Sequence, residues 1–161
     1  MSGRRVTMRM APVEAHQLTR LLADLREVLS APGADPAVDR LAPDPYPEDA
    51  AAGAEYREAT RVELLDRRAT DAALVEAALA PMSAEAPTLS ERDALTERTF
   101  AIDEDAVDAW MRTLTALRLV IATRIGIRDD DDHDEQDPRF HMYDWLGYRL
   151  ELLVQAADEL L

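Results

Sequence analysis

Hydrophobic and polar residues alternate in two short segments of the chain, 5–10 and 97–102. Alternation with a period of two residues is typical of a strand that buries one face. The side chains predicted to face inward are Val6, Met8, Met10, Phe100 and Ile102. Two isolated strands need a partner, and the simplest arrangement pairs them with each other in antiparallel orientation.

Elsewhere apolar residues recur every three to four positions, which predicts four principal helices. Their expected ranges are 13–30, 48–80, 104–125 and 138–160. Asp103 is a favourable N-cap for the third helix, and Asp137-Pro138 opens the fourth in a similar way. The expected fold class is therefore mainly α, a four-helix bundle with one small two-stranded antiparallel element.

Prolines mark the two principal loops. Residues 31–47 are proline-rich and are predicted to form a loop with one helical turn around Ala37–Leu41. Pro81 and Pro87 are predicted to bracket a second loop. The apolar stripe of the long second helix shifts near Arg67, so a break is allowed there.

Two segments of the chain, 8–29 and 100–121, look alike. Each consists of a short strand, a sharp turn and a long amphipathic helix. The likeness has two interpretations, a repeated unit or similar local rules in two places, and the second is the simpler.

Composition places the chain among small globular proteins. With 161 residues, 47% of them hydrophobic, we expect a single domain over residues 1–161. The absence of cysteine excludes disulfides, thiolate zinc sites and a thiol redox switch within this chain. Since no apolar run approaches the ~20 residues of a membrane span and no signal segment follows Met1, we expect a cytoplasmic protein without membrane association.

The formal net charge is −15, and all basic residues are arginine. Such a field repels nucleic acid phosphates, so we expect no direct nucleic acid binding by the isolated chain. Residues 1–30 carry more arginines than carboxylates, which leaves a basic end on an acidic body as an alternative. An acidic body suits a protein partner with a basic surface.

Candidate catalytic and metal-binding groups are scarce. The acidic run 129–135 lacks the glycine and the downstream glutamate of a calcium loop. His16, His133 and His141 are isolated in sequence, and His16 is predicted to be exposed. No serine lies in a glycine-bracketed turn, and no glycine-rich loop for phosphate is present. We therefore expect no catalytic residue, no metal ion and no cofactor.

Two side chains near the C-terminus have two interpretations each. Arg118 lies near an apolar stripe and is predicted to form an ion pair with Asp144 or Glu151, although binding of a partner or ligand is an alternative. Trp145 lies off the best stripe of its helix, so it either covers the core from the side or anchors an interface.

The C-terminal third carries a resemblance to a known family. Its residues are the run Leu117 to Ile127, the acidic segment 129–137 and Tyr143-Asp144-Trp145-Leu146-Gly147-Tyr148, with Glu55-Tyr56-Arg57-x-x-Thr60 upstream. Together they resemble an actinobacterial family known as the domain of unknown function numbered twenty-seventeen, also called the AosR-type oxidative-stress regulators.

The resemblance implies a function in transcriptional or oxidative-stress control through protein–protein contacts, with the transcription machinery as a candidate partner. A redox-sensing mechanism does not carry over, because this chain has no cysteine. In this family the gene often lies beside that of the Clp protease adaptor, which implies an alternative function as a proteolysis-linked adaptor. A helical interaction domain of another kind and a homodimer also stay open.

The surface expected to bind a partner lies where the helices 104–125 and 138–160 meet. Aromatic and arginine side chains are enriched at interface hot spots. The candidate residues are Arg118, Arg124, Tyr143, Asp144, Trp145 and Tyr148. Gly147 is expected to let another backbone or side chain approach closely.

Overall fold

The predicted strands form and pair as expected. The computed structural model describes residues 3–30, 35–43, 53–126 and 136–160. Strand β1, Arg5–Met10, pairs in antiparallel orientation with β2, Arg98–Asp103, and Val6 lies opposite Ile102. Along β1 exposed and buried residues alternate, as the pattern predicted. The mainly α class with a small two-stranded antiparallel sheet is confirmed.

Long helices make up most of the described chain. Their bounds are α1 Pro12–Ser30, α3 Ala54–Glu85, α5 Glu104–Ile125 and α6 His141–Asp158. Two short helices lie between them, α2 Pro36–Leu41 and α4 Glu91–Leu95. The first of these confirms the predicted helical turn, whereas α4, capped by Ser90, was not predicted. A 3-10 turn, Pro138–Phe140, precedes α6.

The prediction that α3 ends before Pro81 is wrong, because the helix continues through Pro81 to Glu85. A proline inside a helix removes one backbone hydrogen bond and costs about 3 kcal/mol. Packing against α1 explains why the helix continues, since Leu79 and Ser83 are both buried. The helix also passes through Arg67 without a break.

The prediction of an exposed His16 is also wrong. Its ring is half-buried, and Nδ1 lies 3.3 Å from the Ser83 carbonyl oxygen. His16 sits off the stripe of α1 but faces α3, which continues past Pro81 to reach it. The same extension of α3 therefore accounts for both errors.

The core is formed by the apolar stripes that the sequence indicates. Helix α1 packs mainly against α3, and α5 packs against α6, α3 and α2. Trp110 is 1% exposed and its ring lies 5.8 Å from that of Phe100, so α5 covers one face of the sheet. Leu146 and Leu153 bring α6 into the same core.

Truncation of one buried leucine tests this account of the core. Leu22→Ala should lower the free energy of unfolding by about 2–5 kcal/mol, because Leu22 is fully buried and its removal leaves a cavity. Leu95→Ala is the matched control. Leu95 is 60% exposed, so the change should stay within about 0.5 kcal/mol. Urea unfolding followed by circular dichroism measures both, and equal losses would contradict the assigned core.

Candidate functional site

The least expected feature of α6 is a buried arginine, Arg149. It lies three residues after Leu146 and four before Leu153, so it shares their buried stripe and is only 5% exposed. Its guanidinium donates to the backbone carbonyl of Arg9 at 2.6 Å and to both carboxylate oxygens of Glu14, at 2.9 and 3.0 Å. Burying a charge requires such pairing, so Arg149 fixes α6 against β1 and α1.

Glu14 occupies the first turn of α1, three residues after Ala11. Its carboxylate accepts the Ala11 backbone N–H at 2.9 Å, which is the back-bond of a capping box. The indole N–H of Trp145 also donates to it. Burial raises the pKa of Glu14, but the hydrogen bonds from Ala11, Trp145 and Arg149 outweigh that effect, and the net pKa is lowered. One carboxylate thus joins the helix cap to α6.

Aromatic rings and a second carboxylate complete this group. The Arg149 guanidinium lies 5.5 Å from the Trp145 ring and 5.7 Å from the Tyr148 ring. Glu97 lies 3.6 Å from Arg149 on the side of the sheet. We call these residues the Arg149 cluster: Glu14, Glu97, Trp145, Tyr148 and Arg149. Trp145 is half-buried, whereas Tyr148 is 57% exposed.

A second arginine, Arg118, lies on the opposite flank of α6. Its guanidinium carbon is 4.2 Å from the centre of the Tyr143 ring, a cation–π contact. Gly147 makes room for it, since a Cβ atom there would lie 3.1 Å from that same carbon. We call this arrangement the Arg118 notch: Arg118, Tyr143 and Gly147. In the described ranges no ion pair joins Arg118 to Asp144 or Glu151, so that prediction is wrong.

The structure separates the predicted site residues into three places. Arg118 and Tyr143 belong to the Arg118 notch, and Trp145 and Tyr148 belong to the Arg149 cluster. Arg124 lies near the end of α5, where it forms two hydrogen bonds with Asp35, at 2.7 and 3.1 Å. Asp144 is half-buried beside Tyr143.

Asp35 ties Arg124 to a helix start, because its carboxylate also accepts the Ala37 N–H as the N-cap of α2. The hydrogen bond from Arg124, with that from Ala37, lowers the pKa of Asp35. Arg124 therefore connects α5 to α2 within the chain. Sequence reasoning placed it on the partner surface because it could not locate Asp35.

Sequence reasoning missed Arg149 and Glu14. The available signal was position, because Arg149 interrupts an apolar stripe and Glu14 is the third residue of a helix that begins with Pro12.

A shallow groove of about 360 Å³ lies beside this cluster, and its lining residues are Glu14, Gln17, His141, Met142 and Trp145. Within the part of the chain that is described, no His, Cys, Asp and Glu side chains are grouped to hold a metal ion. His133 and the acidic run 129–135 lie outside the described residues.

A family model covers nearly the whole chain, residues 1–157. The chain belongs to the family described as a domain of unknown function (DUF2017). No curated protein and no solved structure matches it. In this DUF2017 chain, none of the described helices is long and apolar enough to cross a membrane.

Acid unfolding tests the role of the Glu14 carboxylate. Because its pKa is lowered in the folded protein, its contribution to stability is present above the ordinary value of 4.5 and is lost as the pH falls through the folded value. Glu14→Gln should therefore be less stable than wild type at neutral pH, and the difference should shrink in acid. Thermal melts between pH 7 and pH 3 measure this.

Glu85→Gln is the matched control, since Glu85 also has a lowered pKa from its pair with Arg98 but is exposed. Its effect should be much smaller, because solvent screens an exposed pair. A Glu14→Gln variant whose stability deficit is constant across this pH range would contradict the electrostatic role.

Proposed function

We propose that this protein is a non-enzymatic regulator that acts through contacts with a protein partner. The observation that carries the proposal is the exposed ring of Tyr148 beside the buried guanidinium of Arg149. An exposed aromatic ring that contacts a buried and paired arginine is typical of an interface anchor, because the ring loses little side-chain freedom on binding.

Two further apolar side chains support an interface around Tyr148. Leu95 is 60% exposed and lies two residues before Glu97, while Val13 is 39% exposed and precedes Glu14. Both neighbours contact Arg149. We call Val13, Leu95 and Tyr148 the Tyr148 surface. Each of these exposed apolar side chains lies within two residues of a side chain that contacts Arg149, which favours a binding role over solvent exposure alone.

Charge supports a partner with a basic surface. The chain carries a net charge of −15, and Glu91, Asp93 and Glu97 are exposed on both sides of Leu95. Exposed carboxylates beside an exposed apolar residue attract a basic surface and repel nucleic acid. This charge supports a protein partner, such as a component of the transcription machinery, over direct DNA contact.

The proposed process, transcriptional or oxidative-stress control, is what the family resemblance implies, and the proposed location, the cytoplasm, is the one expected from the sequence. Because this chain has no cysteine, an oxidant would have to be sensed by the partner or by a reaction that does not use a thiol. Trp145 is a poorer anchor than Tyr148, since its ring packs against the core and its indole N–H donates to Glu14. We therefore centre the interface on Tyr148.

Affinity purification with matched tyrosine variants tests the proposal. Tyr148→Ala should lose the partner recovered by the wild-type protein from native lysate and leave the melting temperature nearly unchanged, because the ring is largely exposed. The control is Tyr56→Ala, where the removed ring is 62% exposed on α3. It should retain the partner.

The partner is identified by mass spectrometry and its complex is rebuilt from purified components. Binding that weakens with added salt agrees with a basic partner surface. Equal partner recovery by both tyrosine variants would overturn the proposed interface. Recovery of a Clp protease component would favour the adaptor function instead.

A further inference from the structure

We propose that the Arg118 notch is a receptor for a carboxylate group of the protein partner. This inference rests on the proposed function and adds the chemistry of one contact to it. The site is separate from the Tyr148 surface, because Tyr143 and Gly147 lie against Arg118 of α5, whereas Tyr148 lies beside Arg149, which binds β1 and α1.

The first argument is the absence of an acidic partner for Arg118 within the described ranges. Arg112, Arg124 and Arg149 each bind both oxygens of a carboxylate, from Asp71, Asp35 and Glu14. The chain has 33 acidic residues for its 18 arginines, so the lack of a carboxylate beside Arg118 does not reflect a shortage of acidic side chains. A half-buried guanidinium without one is available to a group from outside.

The second argument is the orientation of the guanidinium. Contact with the Tyr143 ring on one side and the approach to Gly147 on another restrict its movement. The Nε atom is buried and has no hydrogen-bond acceptor, whereas neither terminal nitrogen is both buried and unpaired. The edge with the two terminal nitrogens is therefore the one that an incoming group can reach. A fixed donor edge loses little freedom on binding.

The third argument concerns the kind of anion. A carboxylate presents two coplanar oxygens, which match two N–H donors on one edge of a guanidinium. It carries a single charge, so the field of a chain with net charge −15 repels it less than a phosphate dianion. A glutamate or aspartate side chain on an otherwise basic partner surface meets both conditions.

Nuclear magnetic resonance with matched peptides tests the site without the partner. The probes are Ac-Gly-Glu-Gly-NH₂, its glutamine counterpart and inorganic phosphate, each titrated at low ionic strength into the full-length ¹⁵N-labelled protein. The reporters are the Arg118 Nε–H signal and the backbone signals of Tyr143 and Gly147. Because Nε is buried, its proton should exchange slowly enough to be observed.

The glutamate peptide should shift these signals in a saturable way, and the glutamine peptide should bind roughly tenfold or more weakly, since a charge-assisted pair is lost. Arg118→Gln should abolish the glutamate-specific binding. Arg68→Gln is the matched control, because Arg68 is also half-buried with an unpaired Nε but has no aromatic contact among the described residues. It should bind like wild type.

Gly147→Ala keeps the charge and serves as a second variant if Arg118→Gln fails to fold. Its Cβ would lie 3.1 Å from the guanidinium, which must shift slightly away from its contact with the Tyr143 ring, so glutamate-peptide binding should weaken. Equal binding of the glutamate and glutamine peptides would overturn the site, as would unchanged binding in Gly147→Ala or tighter binding of phosphate. These results are independent of the Tyr148→Ala purification, so the site and the proposed function can fail separately.

Discussion

The ion pair between Arg149 and Glu14 is the interaction on which the arrangement of the C-terminal helix depends. A guanidinium in the core is costly unless its donors and its charge are matched, and replacement of one partner typically costs about 3–5 kcal/mol. In this chain a carboxylate matches the charge, and that carboxylate and a backbone carbonyl accept from the two terminal nitrogens, whereas the buried Nε has no acceptor among the described residues. Because the carboxylate is also part of the α1 cap, the helix start and the position of α6 are set by the same group.

The same use of arginine recurs elsewhere in the fold. The Arg112–Asp71 pair joins α5 to α3, and the Arg124–Asp35 pair joins α5 to the start of α2. An acidic chain without lysine thus places planar, bidentate cations between its helices and leaves many carboxylates exposed. This arrangement helps to explain how a chain with so few aromatic residues orients its helices. Arg118 differs from these arginines because it contacts an aromatic ring and pairs with no carboxylate among the described residues.

Periodicity predicted the two strands and the approximate ranges of the long helices, because those features follow from which side chains must be buried. The pairing of the strands followed from the need of an isolated strand for a partner. It did not predict that α3 continues through Pro81, since the local cost of proline is visible in sequence whereas the packing against α1 that outweighs it is not. The capping role of Glu14 at the start of α1 could have been predicted from its position two residues after Pro12. Its pairing with a residue 135 positions away could not, because nothing local specifies a long-range contact. For the same reason the pair of Arg124 with Asp35 was not foreseen, and Arg118 was expected to pair with a carboxylate although its contact is the Tyr143 ring.

A double-mutant cycle of Glu14→Gln and Arg149→Met most directly tests the claim that this pair holds α6 in place. Urea unfolding of the wild type, both single variants and the double variant gives the coupling free energy between the two side chains. The account predicts large losses in each single variant and a double variant little worse than either, with a coupling of about 2–3 kcal/mol. Additive losses, with a coupling below about 0.5 kcal/mol, would contradict it.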